Sequence, residues 1–177
     1  MRLLSIAFVG LALAACAPDA GSGAVSGSVA PLSASSVTED PIRSAIIDAS
    51  AFFTHPRANQ PAAAANAIAD IEYLADAMPT NPRYQAAPGV SLTSLQLARQ
   101  EGRTALGIAP NAPNGQVAAG LRDAAVALNA GDRAAAEAAL PQDIFTLGPD
   151  QTISRLSQPP RVRNAVQAFA GLAAIQP

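Results

Sequence analysis

Asp40 to His55 reads DPIRSAIIDASAFFTH, and its spacing decides the fold class. Asp40 is a residue type that caps helices, and Pro41 follows where the first helical position tolerates a missing N–H. Ile42, Ile46, Ala49 and Phe53 then recur every three or four residues, which puts them on one face of a helix ending near Thr54.

The same punctuation repeats downstream. After the loop HPRANQ, residues 55–60, Pro61 opens a second helix carrying Ile68, Ile71, Tyr73, Leu74 and Met78, and Pro79 and Pro82 stop it. Ser91 reads as the cap of a third, with Leu92, Leu95, Ala98, Gly102 and Ala105 or Leu106 as its stripe and Gly107 as its C-terminal glycine. The connector IAPNAPNG, residues 108–115, ends it. A fourth helix starts near Gly115, shows Val117, Leu121, Ala124, Ala125 and Leu128 on one side, and ends at Gly131. Asp132 caps a fifth, Arg133 to Leu140, closed by Pro141; the short link predicts a tight antiparallel hairpin.

Between Gln142 and Ser157, DIFTLG reads as a short extended piece and Pro149 to Leu156 as a short helix. The last segment has Pro160 in its first turn and Val162, Val166, Phe169 and Leu172 or Ala173 at helical spacing. No strand-length alternation of apolar and polar residues stands outside these segments. The expectation is one small, Ala-rich, all-α bundle of about five to six helices over residues 38–177. The stretch VALNAGDRAAAEAAL, residues 126–140, resembles a tetratricopeptide hairpin, but no period of about 34 residues recurs, which leaves an Ala-rich helical hairpin.

Upstream of the bundle, LALAACAPDAGSG, Leu11 to Gly23, holds the only cysteine in 177 residues. A lone thiol forms no intramolecular disulfide and, without clustered partners, makes a poor metal site. Arg2 followed by the uncharged apolar run Leu3 to Ala15 is too short for a membrane span, which takes roughly 20 residues, and fits the core of a cleaved signal peptide, residues 1–15. Leu13, Ala14, Ala15 and Cys16 resemble the lipobox of bacterial lipoproteins: a branched apolar residue, two small ones, then the cysteine that receives diacylglycerol. That resemblance covers only the first 16 residues. It implies that Cys16 begins the mature chain and carries the lipid. In many Gram-negative lipoproteins an Asp after that cysteine retains the protein at the inner membrane; Ala17 stands there instead, so the resemblance implies an outer-membrane location facing the periplasm.

Residues 17–37, APDAGSGAVSGSVAPLSASSV, bury too little to offset their ordering entropy and read as a flexible tether after Cys16. Treated as coil, it spans roughly 25 Å.

Composition narrows the function classes. Of the residues counted as hydrophobic, 43 are Ala, which favours helix but buries little area, so one modest core is expected. Eleven Arg, no Lys and 13 acids give a net charge of −2 without any block of like charge. The clustered cations of a nucleic-acid binder are missing, and no nucleic-acid partner is expected.

Candidate chemistry is sparse. His55 is the only histidine, and a zinc site needs three or four side-chain ligands, so no metal or cofactor is expected. Asp70, Glu72 and Asp76 lie on the second helix; Glu72 and Asp76 share a face, as carboxylates on a solvated helix surface commonly do. Arg99 and Arg103 are four apart, and Arg155, Arg161 and Arg163 gather around SQPPRVRN beside a helix N-terminus, a candidate contact for an anion or a solubilising rim. No nucleophile elbow, S-x-x-K, G-x-G-x-x-G or P-loop pattern occurs. Two readings follow. One is a lipid-anchored, non-enzymatic helical module of the envelope that binds another protein or cell-wall material. The other is a small-molecule carrier or enzyme whose interhelical pocket is lined by Phe52, Phe53, Tyr73 and Tyr84.

Overall fold

A computed structural model describes residues 40–174, and it is all-α. The expected signal segment 1–15, Cys16 and the tether to residue 37 lie outside the described residues. Among the described residues seven α-helices form: α1 Pro41–Thr54, α2 Pro61–Ala77, α3 Gly89–Leu106, α4 Asn114–Asn129, α5 Arg133–Ala138, α6 Pro149–Leu156 and α7 Arg163–Leu172. Short 3₁₀ turns, Met78–Thr80 and Pro82–Tyr84, link α2 to α3. These seven helices, against an expected five to six, each stand at a segment that the sequence punctuation marks.

Helix α2 is the hub. It packs against α1, α3, α4 and α6, while α7 lies against α3 and α1. The hub works because α2 is alanine-rich: Ala62, Ala64, Ala65, Ala67, Ala69 and Ala75 are all buried, and small side chains let helices approach on several faces at once. Larger residues fill the remaining space. Tyr84, Phe145, Phe169, Ile68, Ile71, Leu74, Met78, Leu95, Leu106 and Leu121 are all less than 3 % exposed.

The ends of the helices show what specifies them. Asp40 caps α1, its Oδ1 accepting from the Ile42 N–H at 3.0 Å. Its other oxygen accepts from the Tyr84 hydroxyl at 2.6 Å and from Arg83 Nη1 at 3.1 Å, so one carboxylate both starts α1 and ties it to the second 3₁₀ turn. Asp132 caps α5 through the Ala135 N–H at 2.9 Å, and α4 and α5 pack together across the turn at Gly131, whose φ is +73°. Gly107 ends α3 with φ +66°.

Three boundaries differ from the sequence reading by two residues or more; α5 ends at Ala138, short of Leu140. Helix α3 begins at Gly89, two residues before Ser91, because the Pro88 carbonyl accepts from both Ser91 and Leu92 N–H. Ser91 is therefore inside the helix and buried against α7, where a Cβ on Gly171 would collide with its Oγ. Helix α7 begins at Arg163, not at Pro160, because its start is set from another helix. The Glu101 carboxylate of α3 accepts from the Asn164 N–H at 3.1 Å and from Asn164 Nδ2 at 2.9 Å. The extended piece is real but minimal: Ile108 and Phe145 form an isolated antiparallel bridge, with Ala109 N–H to Ile144 O at 2.8 Å and Thr146 N–H to Gly107 O at 2.9 Å.

Candidate functional site

On α3, the residues Leu97, Gln100, Glu101, Thr104 and Ala105 follow helical spacing and share one face. With Arg161, Arg163 and Asn164 at the start of α7 they line an open groove of about 490 Å³. Two of the three arginines singled out in the sequence thus meet here. The third, Arg155, donates from Nη1 to the Ala105 carbonyl at 2.7 Å, a cation placed on the last turn of α3 where the helix dipole favours it. None of Arg155, Arg161 and Arg163 has a carboxylate within 4.0 Å among the described residues. Of the backbone N–H groups at the start of α7, that of Asn164 donates to Glu101 and that of Ala165 to the Val162 carbonyl. What remains for a partner is the pair of exposed guanidiniums beside Leu97, itself 42 % exposed.

The other side of the Gln100–Thr104 turn opens on a second groove, of about 540 Å³, lined also by Arg99, Arg103, Gly107, Ile108, Ala109, Pro110 and Thr146. Beneath it lies a polar network that corrects the reading of Glu72 and Arg103 as surface charges. Glu72 is fully buried and Arg103 is 8 % exposed. Arg103 donates Nε to Glu72 Oε1 and Nη2 to Glu72 Oε2, each at 2.7 Å. Its remaining N–H groups reach Pro110 O at 2.9 Å, Ala109 O at 3.4 Å and Asn114 Oδ1 at 2.9 Å. All five donors of Arg103 are therefore engaged. Asn114 extends the network, accepting from Arg99 Nη1 at 3.2 Å and donating Nδ2 to Asp76 at 3.2 Å.

Across α1, α2 and α4, Asp48, Asp70 and Arg122 are shared by two shallow grooves of about 430 and 470 Å³. Arg122 donates to Asp70 Oδ1 at 3.1 Å and lies 5.5 Å from the Tyr73 ring centroid. Burial raises the Asp70 pKa above the ordinary carboxylate value, Asp48 adds to the rise, and Arg122 opposes it. The four aromatics of the pocket reading do not line one cavity. Phe52 and Tyr73 border these two grooves separately, Phe53 stacks on Phe169 at 6.2 Å, and Tyr84 is bonded to Asp40.

His55 is exposed in its loop, and among the described residues no group of three or more His, Cys, Asp or Glu is arranged to hold a metal ion. No described helix is long and apolar enough to cross a membrane. Sequence spacing missed the Glu72–Arg103–Asn114 network because Glu72 and Arg103 sit on different helices, and Glu72 is one of three acids on α2, with Asp70 and Asp76, so nothing local marked it as the buried one. Comparison with family models, curated proteins and solved structures finds no match to this chain.

Proposed function

We propose that this chain is a lipid-anchored protein of the bacterial envelope, held to the membrane through Cys16, whose helical domain works by contact with an anionic envelope partner at the α3–α7 groove. The anchor rests on the lipobox-like stretch Leu13 to Cys16, and Ala17 supports the outer membrane facing the periplasm. The observation that carries the contact reading is the groove itself: Arg161 and Arg163 flank exposed Leu97 without a carboxylate partner among the described residues. An apolar contact bordered by cations suits a partner that presents anionic groups around a small apolar patch. A carrier or enzyme reading would draw on a cavity lined by the aromatic residues, and these are dispersed.

The test is site-specific photocrosslinking in cells, with a photoreactive residue at Leu97 and, as control, at Val126, which is 70 % exposed on α4. The reading expects a discrete adduct from Leu97, lost in the Arg161→Gln/Arg163→Gln double variant at equal abundance. Adducts equal at both positions and indifferent to the double variant would contradict it.

A further inference from the structure

Asn114 is followed by Gly115 at the start of α4, the pairing that leaves an asparagine side chain most open to attack by the next backbone nitrogen. Glycine adds no side chain to hinder that attack, and a Cβ built at Gly115 would meet nothing within 4 Å. Gly115 is exposed, and its N–H, in the first turn, has no acceptor within the helix. Pro113 caps α4 without a side-chain hydrogen bond, so backbone bonds alone hold this end: the Gln116 and Val117 N–H groups donate to the Pro113 carbonyl at 3.0 and 3.1 Å.

The fold adds the way the amide is held. Asn114 Oδ1 accepts from Arg99 Nη1 at 3.2 Å and from Arg103 Nη2 at 2.9 Å, while Nδ2 donates to Asp76 Oδ1 at 3.2 Å. Two guanidiniums therefore face the oxygen that turns negative when a nucleophile adds to Cγ, and donors aimed at such an oxyanion lower the barrier to forming it. Both are fixed in place before any reaction. Arg103 is gripped by Glu72 through two bonds, and Arg99 is enclosed as far as its Nε.

We infer that Asn114 is a site of self-modification, losing its amide to attack by the Gly115 nitrogen with Arg99 and Arg103 activating the carbonyl. The helical setting holds that nitrogen out of line with Cγ until the first turn of α4 opens; rotation about the Asn114 Cα–C bond then brings it to Cγ while the arginines keep the amide oxygen. The N–Cγ bond forms, the Gly115 N–H proton passes through solvent to Nδ2, the Cγ–Nδ2 bond breaks, and ammonia leaves a succinimide. Water opens the ring at either carbonyl, giving aspartate or isoaspartate at position 114. The aspartate product puts a carboxylate where Oδ1 now accepts, in the first turn of a helix, where the dipole favours an anion. It supplies the counter-charge that Arg99 lacks, since no carboxylate lies within 4.0 Å of it among the described residues. The bond given up, Nδ2 to Asp76, is an exposed one. Neither the lipid anchor nor the α3–α7 groove enters this chemistry.

The experiment incubates the full-length protein in detergent micelles at mildly alkaline pH and follows the mass gain of amide exchanged for acid, residue by residue, by fragmentation mass spectrometry. Exposed Asn111, which precedes Ala112, is the internal control. Conversion is expected at Asn114 and not at Asn111, with hydroxylamine trapping the succinimide as a chain break between residues 114 and 115. Gly115→Ala, at a position with room for a Cβ, should fold and convert about tenfold more slowly. Arg99→Gln should also convert about tenfold more slowly while folded, yet at the wild-type rate when both chains are unfolded in urea. Should Arg99→Gln fail to fold, Arg99→Met, which keeps the aliphatic stem, takes its place. Folded wild type still unconverted when the urea-unfolded chain is half converted overturns the site. Equal rates in folded wild type and the Arg99 variant overturn the activation by arginine. Asn114→Asp should match or exceed wild type in urea unfolding, and a loss of stability there overturns the fit of the product.

Discussion

Arg103 of α3 grips Glu72 of α2 through two parallel hydrogen bonds of 2.7 Å, with both side chains withdrawn from water. The pair joins the hub helix to the helix that carries both grooves. Two ions taken out of water must be compensated by each other and by their other partners, so losing one partner is far more damaging than losing both.

Replacing Glu72 by Gln leaves a buried guanidinium without its counter-charge and should lower stability by about 3–5 kcal/mol. Arg103→Met should cost a similar amount. The double variant Glu72→Gln/Arg103→Met should be less destabilised than the two singles added together, by about 2 kcal/mol or more, as expected for residues in direct contact. Urea unfolding of the four proteins measures this, and strictly additive effects would show that the pair is not coupled.

The Tyr84–Asp40 bond sets a pH window. Tyr84 and its neighbours hold the Asp40 pKa below its ordinary value, first through the Tyr84 hydroxyl; burial, and then Asp40 itself, pushes the Tyr84 pKa up to about 12. A depressed carboxylate contributes stability above its unfolded pKa of roughly 3.9 and loses it as pH falls through the folded value; a raised phenol contributes below roughly 10 and loses it as pH rises toward the folded value. Tyr84→Phe should therefore cost about 1–3 kcal/mol between these limits. The deficit relative to wild type should shrink in acid below about pH 4. A deficit independent of pH down to full acid unfolding would contradict the assignment.

Asp70 runs the other way. Its pKa is raised, chiefly by burial, so ionised Asp70 subtracts stability as pH rises from its unfolded value through the folded one. Asp70→Asn removes that ionisation and keeps an acceptor for Arg122. Relative to wild type it should gain stability with rising pH across that window. Thermal unfolding of wild type and Asp70→Asn at pH 4 and pH 7 measures this, and a difference that does not grow with pH would contradict it.

What was legible in the sequence follows from where the information sits. Proline, cap and glycine signals act within a turn, so α1, α2, the α4–α5 turn and α6 could be read from Asp40-Pro41, Pro61, Gly131-Asp132 and Pro149 alone. The starts of α3 and α7 could not. Ser91 is a good cap residue drawn inside α3 by its packing against Gly171, and α7 starts where Glu101, 63 residues away, captures the Asn164 N–H. The site divides in the same way. SQPPRVRN brought Arg161 and Arg163 together in sequence before the fold did. Glu72 and Arg103 are 31 residues apart, and nothing local distinguishes a buried pair from two solvated charges.

The proposed lipid anchor at Cys16 is tested at the N-terminus of the protein as cells hold it. Mass spectrometry of the protein purified from cell membranes should find a chain that begins at Cys16, its thiol carrying diacylglycerol, and Cys16→Ser should accumulate as the unprocessed precursor. A mature protein found in the soluble fraction, with an unmodified thiol at Cys16 or an N-terminus elsewhere, would contradict the account.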